Sequence, residues 1–273
     1  MKKCISLFLI ILCTSAASNA VGFNSTFVGK TLKHNYLSTR DLVISPISWD
    51  KTDFLVLGGV SALTAASVLW IDGPLNTYVR ENYNPGVANT LDYFKPIGNV
   101  YPAISMAGFA IHSLFAKSNY SAETALLITE SFIINTVLVK SVKYMTGRTR
   151  PNAGRDPHLW NGPTGSITTF YKKGTSFYSG HTSGAFSAAS VIAWRYRDIP
   201  WVPWVSYSLA TLNSVQRVYQ DSHWLSDTIY GAMVGTAIGL FLAKNHDNNP
   251  YKIYPMVQPG ANGITMVLEI GKN

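Results

Sequence analysis

Residues 217–227 read R-V-Y-Q-D-S-H-W-L-S-D, and two earlier stretches belong with them: K-Y-M-T-G-R-T-R-P at 143–151 and S-G-H-T at 179–182. His223 and Asp227 stand four apart, so on a helix they share a face, one turn from each other. A carboxylate there accepts the proton on one imidazole nitrogen and leaves the other free to attack. Arg217, six residues before His223, is placed to hold phosphoryl oxygens during that attack. The pair also has a plain structural reading, a histidine at a helix start with Asp227 as a first-turn carboxylate.

The S-G-H-T stretch lies where a polar loop meets an apolar helix. Backbone N–H groups at a helix start bind anions, and Gly180 permits close approach. Ser179 adds a hydroxyl donor, and His181 is placed to protonate a departing alkoxide. An ordinary helix cap at Ser179 or Thr182 is the alternative. In the first stretch Lys143 and Arg150 flank a turn at Gly147. Arginine grips two phosphoryl oxygens through its planar fork, whereas lysine acts as a point charge. Alone this is a basic loop beside a helix. Together the three stretches hold three cations, two histidines, a hydroxyl, a glycine and a carboxylate, the inventory of phosphoryl transfer without a metal. Cations so grouped would repel a divalent ion, so neither metal nor cofactor is expected.

In this order the stretches resemble the signature of the type 2 phosphatidic acid phosphatase and vanadium haloperoxidase superfamily: K-x6-R-P, then P-S-G-H, then S-R-x5-H-x3-D. Tyr178 stands where the pattern has proline, and Gln216 where it has serine. The resemblance covers about residues 120–243. It implies an all-α helical bundle with the site at one end. In that site His223 is the nucleophile, Asp227 orients it, and His181 is the general acid. Lys143, Arg150, Ser179, Gly180 and Arg217 bind the phosphoryl oxygens.

The rest of the chain supplies the setting. Charged residues are only 13% of 273, apolar residues 47%, and mean hydropathy is +0.11. That excludes a disordered chain and suits a helical bundle with little surface to solvate. The formal charge of +8 is not laid out as a run or stripe, so nucleic acid is not the expected partner. Residues 1–20 carry Lys2 and Lys3, an apolar stretch and a small-x-small end, which predicts a signal peptide or an uncleaved N-terminal anchor. Both cysteines, Cys4 and Cys13, lie inside it, so a cleaved chain has no thiol. Residues 21–273 are expected to form one helical domain.

Six apolar blocks predict about six helices: 54–71, 100–116, 122–139, 182–194, 201–217 and 226–243. Residues 72–98 and 140–174 read as loops, and 264–270 alternates as a short strand. Gly231, Gly235 and Gly239 put small residues on one face of the last helix, a device for close helix approach.

Six crossings place the catalytic loops on one side and Lys117, Arg195, Arg197 and Lys244 on the other, the cytoplasmic side by the positive-inside rule. A cleaved signal peptide reverses that topology, and a block as short as 182–194 does not cross unaided. The expectation is an envelope protein embedded in the membrane with a periplasm-facing site; a periplasmic protein is the alternative. Its expected activity is removal of phosphate from a lipid phosphate or diphosphate. Trp160, Phe170, Tyr171 and Phe177 near the site suit an amphiphile. The rivals are a soluble acid phosphatase, a vanadate-dependent haloperoxidase and a non-catalytic envelope protein. Nothing in the sequence sets an oligomeric state.

Overall fold

The computed structural model describes residues 37–154, 156–163, 175–248, 251–254 and 267–270. The expected signal segment with Cys4 and Cys13 lies outside the described residues, as do Arg155, Phe170 and Tyr171. All six apolar blocks fold as helices. Helix α1 runs Lys51–Glu81. It opens on a reciprocal cap, in which Asp50 accepts from the N–H groups of Thr52 and Asp53 while Asp53 accepts from that of Asp50. Then follow α2 (Pro85–Asp92), α3 (Ile97–Ala116), α4 (Asn119–Thr146), α5 (Gly180–Arg195), α6 (Trp201–Tyr219) and α7 (Leu225–Asn248). An antiparallel ribbon closes the chain, with β1 (Tyr251–Tyr254) pairing Tyr251 to Ile270 of β2 (Val267–Ile270).

Two of the expected loops are shorter than the sequence implies. Residues 140–146 hold no helix breaker, so α4 continues until Gly147 ends it in the left-handed conformation at φ 57°. Lys143 therefore stands on a last helical turn rather than in a loop. The first expected loop, 72–98, is largely helical. In α1 the Asp72 N–H bonds back five residues to Ser67 O, one wide turn, and the helix resumes through Glu81. Pro85 then starts α2 at a position where no N–H is needed.

Helix α5 is the centre of the bundle. Ala185, Ala188, Ala189 and Val191 are fully buried on it, and Leu127, Ile128, Ile238 and Leu242 of α4 and α7 pack against it. The three glycines of α7 let its backbone lie on that of α5. A methyl group on Gly231 would stand 2.8 Å from Ser179 O, and those on Gly235 and Gly239 would come closer still to the carbonyls of Ser183 and Ser187. Both helices repeat the contact every four residues, which fixes their register.

Outside, the bundle is apolar. Leu55, Trp70, Phe115 and Trp204 are among its exposed side chains. Lys51–Glu81, Asn119–Thr146 and Leu225–Asn248 are long and apolar enough to cross a membrane, and the apolar stretch of the first is only 11% buried. Burial inside the protein does not account for that hydrophobicity.

Candidate active site

The five residues between Arg217 and His223 close a tight turn: the N–H groups of Ser222 and His223 both donate to Arg217 O, at 3.0 and 3.2 Å, and Asp221 takes φ 52° between them. This turn carries the imidazole to the start of α7, where Asp227 lies one turn on. His223 is buried, its Nδ1 3.4 Å from Asp227 Oδ2 and 3.5 Å from Ser176 Oγ. Its Nε2 is buried too and has no hydrogen-bond partner among the described residues. Burial, with Lys143 and Arg150 adding to it, pushes the His223 pKa down to about 3 against the opposing pull of Asp227. The ring is thus neutral near pH 7, with Nε2 carrying the lone pair when Nδ1 donates to the carboxylate. Asp227 also accepts from the Trp224 N–H at 3.0 Å, so it serves the helix start and the histidine together.

Ser179 likewise fills both expected roles. It caps α5, its Oγ accepting from Thr182 N–H at 3.3 Å, and the hydroxyl proton stays available to a ligand. Its own N–H donates to Asp227 O at 3.0 Å, which docks the start of α5 on the start of α7. The N–H groups of Gly180 and His181 belong to the first turn of α5, at its positive end. Burial, then Arg217, Lys143, Arg150 and Lys95, push the His181 pKa down to about 4. Four cations acting on one imidazole mark the space beside it as strongly positive.

Two of these cations converge on one carbonyl. Lys143 Nζ donates to Thr175 O at 2.8 Å and Arg150 Nη2 to the same oxygen at 3.4 Å. Gly147 makes this geometry accessible, since any side chain there would meet the backbone of Gly162, its nitrogen at 2.9 Å. Arg217 Nε donates to Gln216 Oε1 at 2.7 Å, and Gln216 Nε2 donates to Asp92 Oδ1 of α2 at 2.9 Å. The glutamine that departs from the family pattern thus braces the arginine beside it. Tyr178, the other departure, is buried against the rings of Phe177 and Tyr230. All eight predicted site residues come to one end of the bundle, whereas His112 and His246 bond to Ser121 and Glu123 elsewhere.

Sequence reasoning missed several groups. Ser176 donates its hydroxyl to Asp227 Oδ2. Gly98, at the start of α3, abuts the ring of His181. Arg148, unassigned although it lies between Lys143 and Arg150, is wholly buried and bonds Asp227 Oδ1 at 2.6 Å and Asp72 Oδ2 at 2.7 Å. The one legible signal for Asp72 is its place as the first charge after an uncharged apolar block.

With this geometry in place, residues 124–251 match the model of the PAP2 superfamily. This part of the chain is thus similar to a PAP2-superfamily core. It holds every one of the eight site residues, while α1, α2 and α3 precede it. A curated relative, lipid A 1-phosphatase of Porphyromonas gingivalis, is 29% identical over 183 residues, which are 65% of this chain and 36% of that protein. The chain thus spans about a third of the length of the curated relative it matches. Two solved structures share the fold. LpxE of Aquifex aeolicus has a TM-score of 0.50 at 22% identity, over 64% of this chain and 95% of that one. The transmembrane PAP2 type phosphatidylglycerolphosphate phosphatase of Bacillus subtilis has 0.53 at 20% identity, over 71% and 95%.

Proposed function

We propose that this chain is a metal-independent phosphatase that removes phosphate from a lipid phosphate or diphosphate through a phosphohistidine on His223. The observation that carries the reading is the His223 ring: buried, with Nδ1 facing a carboxylate and Nε2 unpaired among the described residues. The Nε2 lone pair attacks phosphorus, the ester P–O bond breaks, and the proton of His181 passes to the departing oxygen. Lys143, Arg150, Arg217, the Ser179 hydroxyl and the Gly180 N–H hold the phosphoryl oxygens as charge spreads over them. Neutral His181 then takes a proton from water, whose oxygen attacks phosphorus. The P–N bond breaks, phosphate leaves, and both histidines return to their starting forms.

The lipid character of the substrate is supported by the exposed apolar surface, which suits a hydrocarbon surround better than water, and by the name of the Porphyromonas gingivalis relative. A lipid A 1-phosphate heads the panel for that reason, followed by phosphatidic acid, phosphatidylglycerol phosphate and polyprenyl diphosphate. The site end faces the periplasm in this reading. Lys117, Arg195 and Lys244 lie at the other end, on the cytoplasmic side. In this reading residues 1–20 do not act as a cleaved signal, or one apolar block does not cross.

The test uses the detergent-extracted chain and lipid phosphates labelled with radioactive phosphate, with alkaline quenching to preserve phosphohistidine. Labelled protein is expected in the wild type and absent in His223→Ala. Trapped label in His223→Ala overturns the assignment. Release by osmotic shock with preference for a water-soluble ester establishes the soluble acid phosphatase instead.

A further inference from the structure

We propose that Asp72, acting through Arg148, is a positioning residue for the His223–Asp227 pair, so that the site depends on a carboxylate outside the PAP2 core. The inference rests on the phosphatase reading above for its kinetic consequence, though not for its geometry. Arg148 spans two carboxylates with one guanidinium. Nη1 binds Asp227 Oδ1, Nη2 binds Asp72 Oδ2, and both ion pairs are fully buried. Pro157 O takes the remaining donors, Nε at 3.2 Å and Nη2 at 2.9 Å. Asp72 is held as completely. Its Oδ1 accepts from Ser226 N–H at 3.0 Å and from Ser67 Oγ at 3.0 Å, and its Oδ2 from Ser226 Oγ. Ser226 also accepts from Arg148 Nη1 at 2.7 Å, which closes the network.

The charges explain what the second carboxylate does. Arg148 paired with Asp227 alone would neutralise it in a medium of low dielectric and weaken its hold on the His223 proton. With Asp72 on the opposite side, the guanidinium is shared, and the triad of two carboxylates and one arginine keeps one net negative charge. That charge faces the imidazole as it turns cationic on phosphorylation. Outer partners of a catalytic carboxylate fix orientation and tune basicity in this way.

The backbone is shaped for the contact. The wide turn over Ser67–Ile71 inserts one residue into α1 and rotates the rest of the helix. Asp72, Asn76 and Arg80 then recur every four residues on the face that meets the catalytic loops. Asn76 Nδ2 donates to Asp221 Oδ1 at 2.6 Å, Arg80 Nε pairs with Asp221 Oδ2 at 2.9 Å, and Arg80 Nη2 donates to Pro151 O at 3.1 Å. Asp72 is the member of that row that touches the catalytic chain of charges; the other two clamp the loops that carry Arg150 and His223.

Asp72→Asn keeps shape and removes the charge. Its kcat is expected to fall about 10- to 100-fold with KM within about twofold, and Asp72→Glu to recover part of the loss. Loss of folded protein alone would lower the yield of active chain, leaving the pH profile of the remainder unchanged, and that result overturns the proposal. A second readout needs no turnover: the His223 ring nitrogens, labelled with 15N, report the Nδ1–H tautomer. A tautomer population identical in wild type and Asp72→Asn overturns the proposal; a shift towards the other tautomer supports it. If the wild type hydrolyses no phosphate ester, the phosphatase reading falls and the tautomer comparison still decides this one. Should Asp72→Asn fail to accumulate, Ser226→Ala keeps both charges and removes their shared hydroxyl. A two- to tenfold drop in kcat is expected there, about the worth of one hydrogen bond, and an unchanged kcat counts against the proposal.

Discussion

Gly98 leaves the room that the imidazole of His181 occupies: a methyl group on its Cα would stand 2.6 Å from His181 Cδ2 and 2.8 Å from Cγ. Gly98 opens α3, outside residues 124–251, so an element remote in sequence sets the position of the proposed general acid. Gly98→Ala must push the ring aside. Misplacing a catalytic group by about 1 Å costs about 100-fold in rate, so kcat is expected to fall by 10- to 100-fold with KM little changed. Steady-state kinetics check this, and kcat within twofold of wild type refutes it.

Gln216 joins Arg217 to Asp92, and its side chain has no part in the chemistry. Gln216→Ala frees the guanidinium to wander from the phosphoryl oxygens. One lost hydrogen bond of this kind is worth about 1.5 kcal/mol, so kcat/KM is expected to fall about tenfold. Gln216→Ser, which restores the residue of the family pattern, should recover activity only if the shorter side chain still meets Arg217; activity equal to wild type in Gln216→Ala defeats the bracing role.

The pH dependence follows from the two histidines. In the proposed mechanism His223 must be neutral to attack and His181 protonated to donate. The first condition fails as pH falls through about 3, and the second as pH rises through about 4. Because kcat/KM reports the free protein, its profile should be a narrow bell in the acid range. A bound phosphoryl group carries negative charge into the four cations and raises the His181 pKa. The alkaline limb of kcat should therefore lie at higher pH than that of kcat/KM. Matching alkaline limbs in the two profiles, or an alkaline limb that survives His181→Asn, contradicts this account.

Each catalytic stretch carries its own spacing, and spacing is a local matter. An i, i+4 pair shares a helix face wherever the helix goes, so His223 and Asp227 were legible together, as was the small-residue face of Gly231, Gly235 and Gly239. Tyr178 and Gln216 show where that legibility stops. Both depart from the family pattern, and only their packing reveals that one is held by aromatic rings and the other braces Arg217. The boundaries at 140 and 72 were misjudged for a related reason. Polar and proline-containing residues look irregular in a sequence, yet long-range contacts to Thr175, Asp221 and Pro151 reward a continued helix.

By itself the sequence determined the kind of fold, an apolar all-α bundle, and the order along it of the residues proposed for the site, because hydrophobic period and short-range spacing are properties of neighbours. The tertiary structure alone decided which carboxylate supports which cation. Asp72 lies 76 residues from Arg148 and 154 from Ser226, and no periodicity spans such distances. Only the close approach of α5 and α7, and the wide turn that rotates α1 onto them, brings those charges into one buried network.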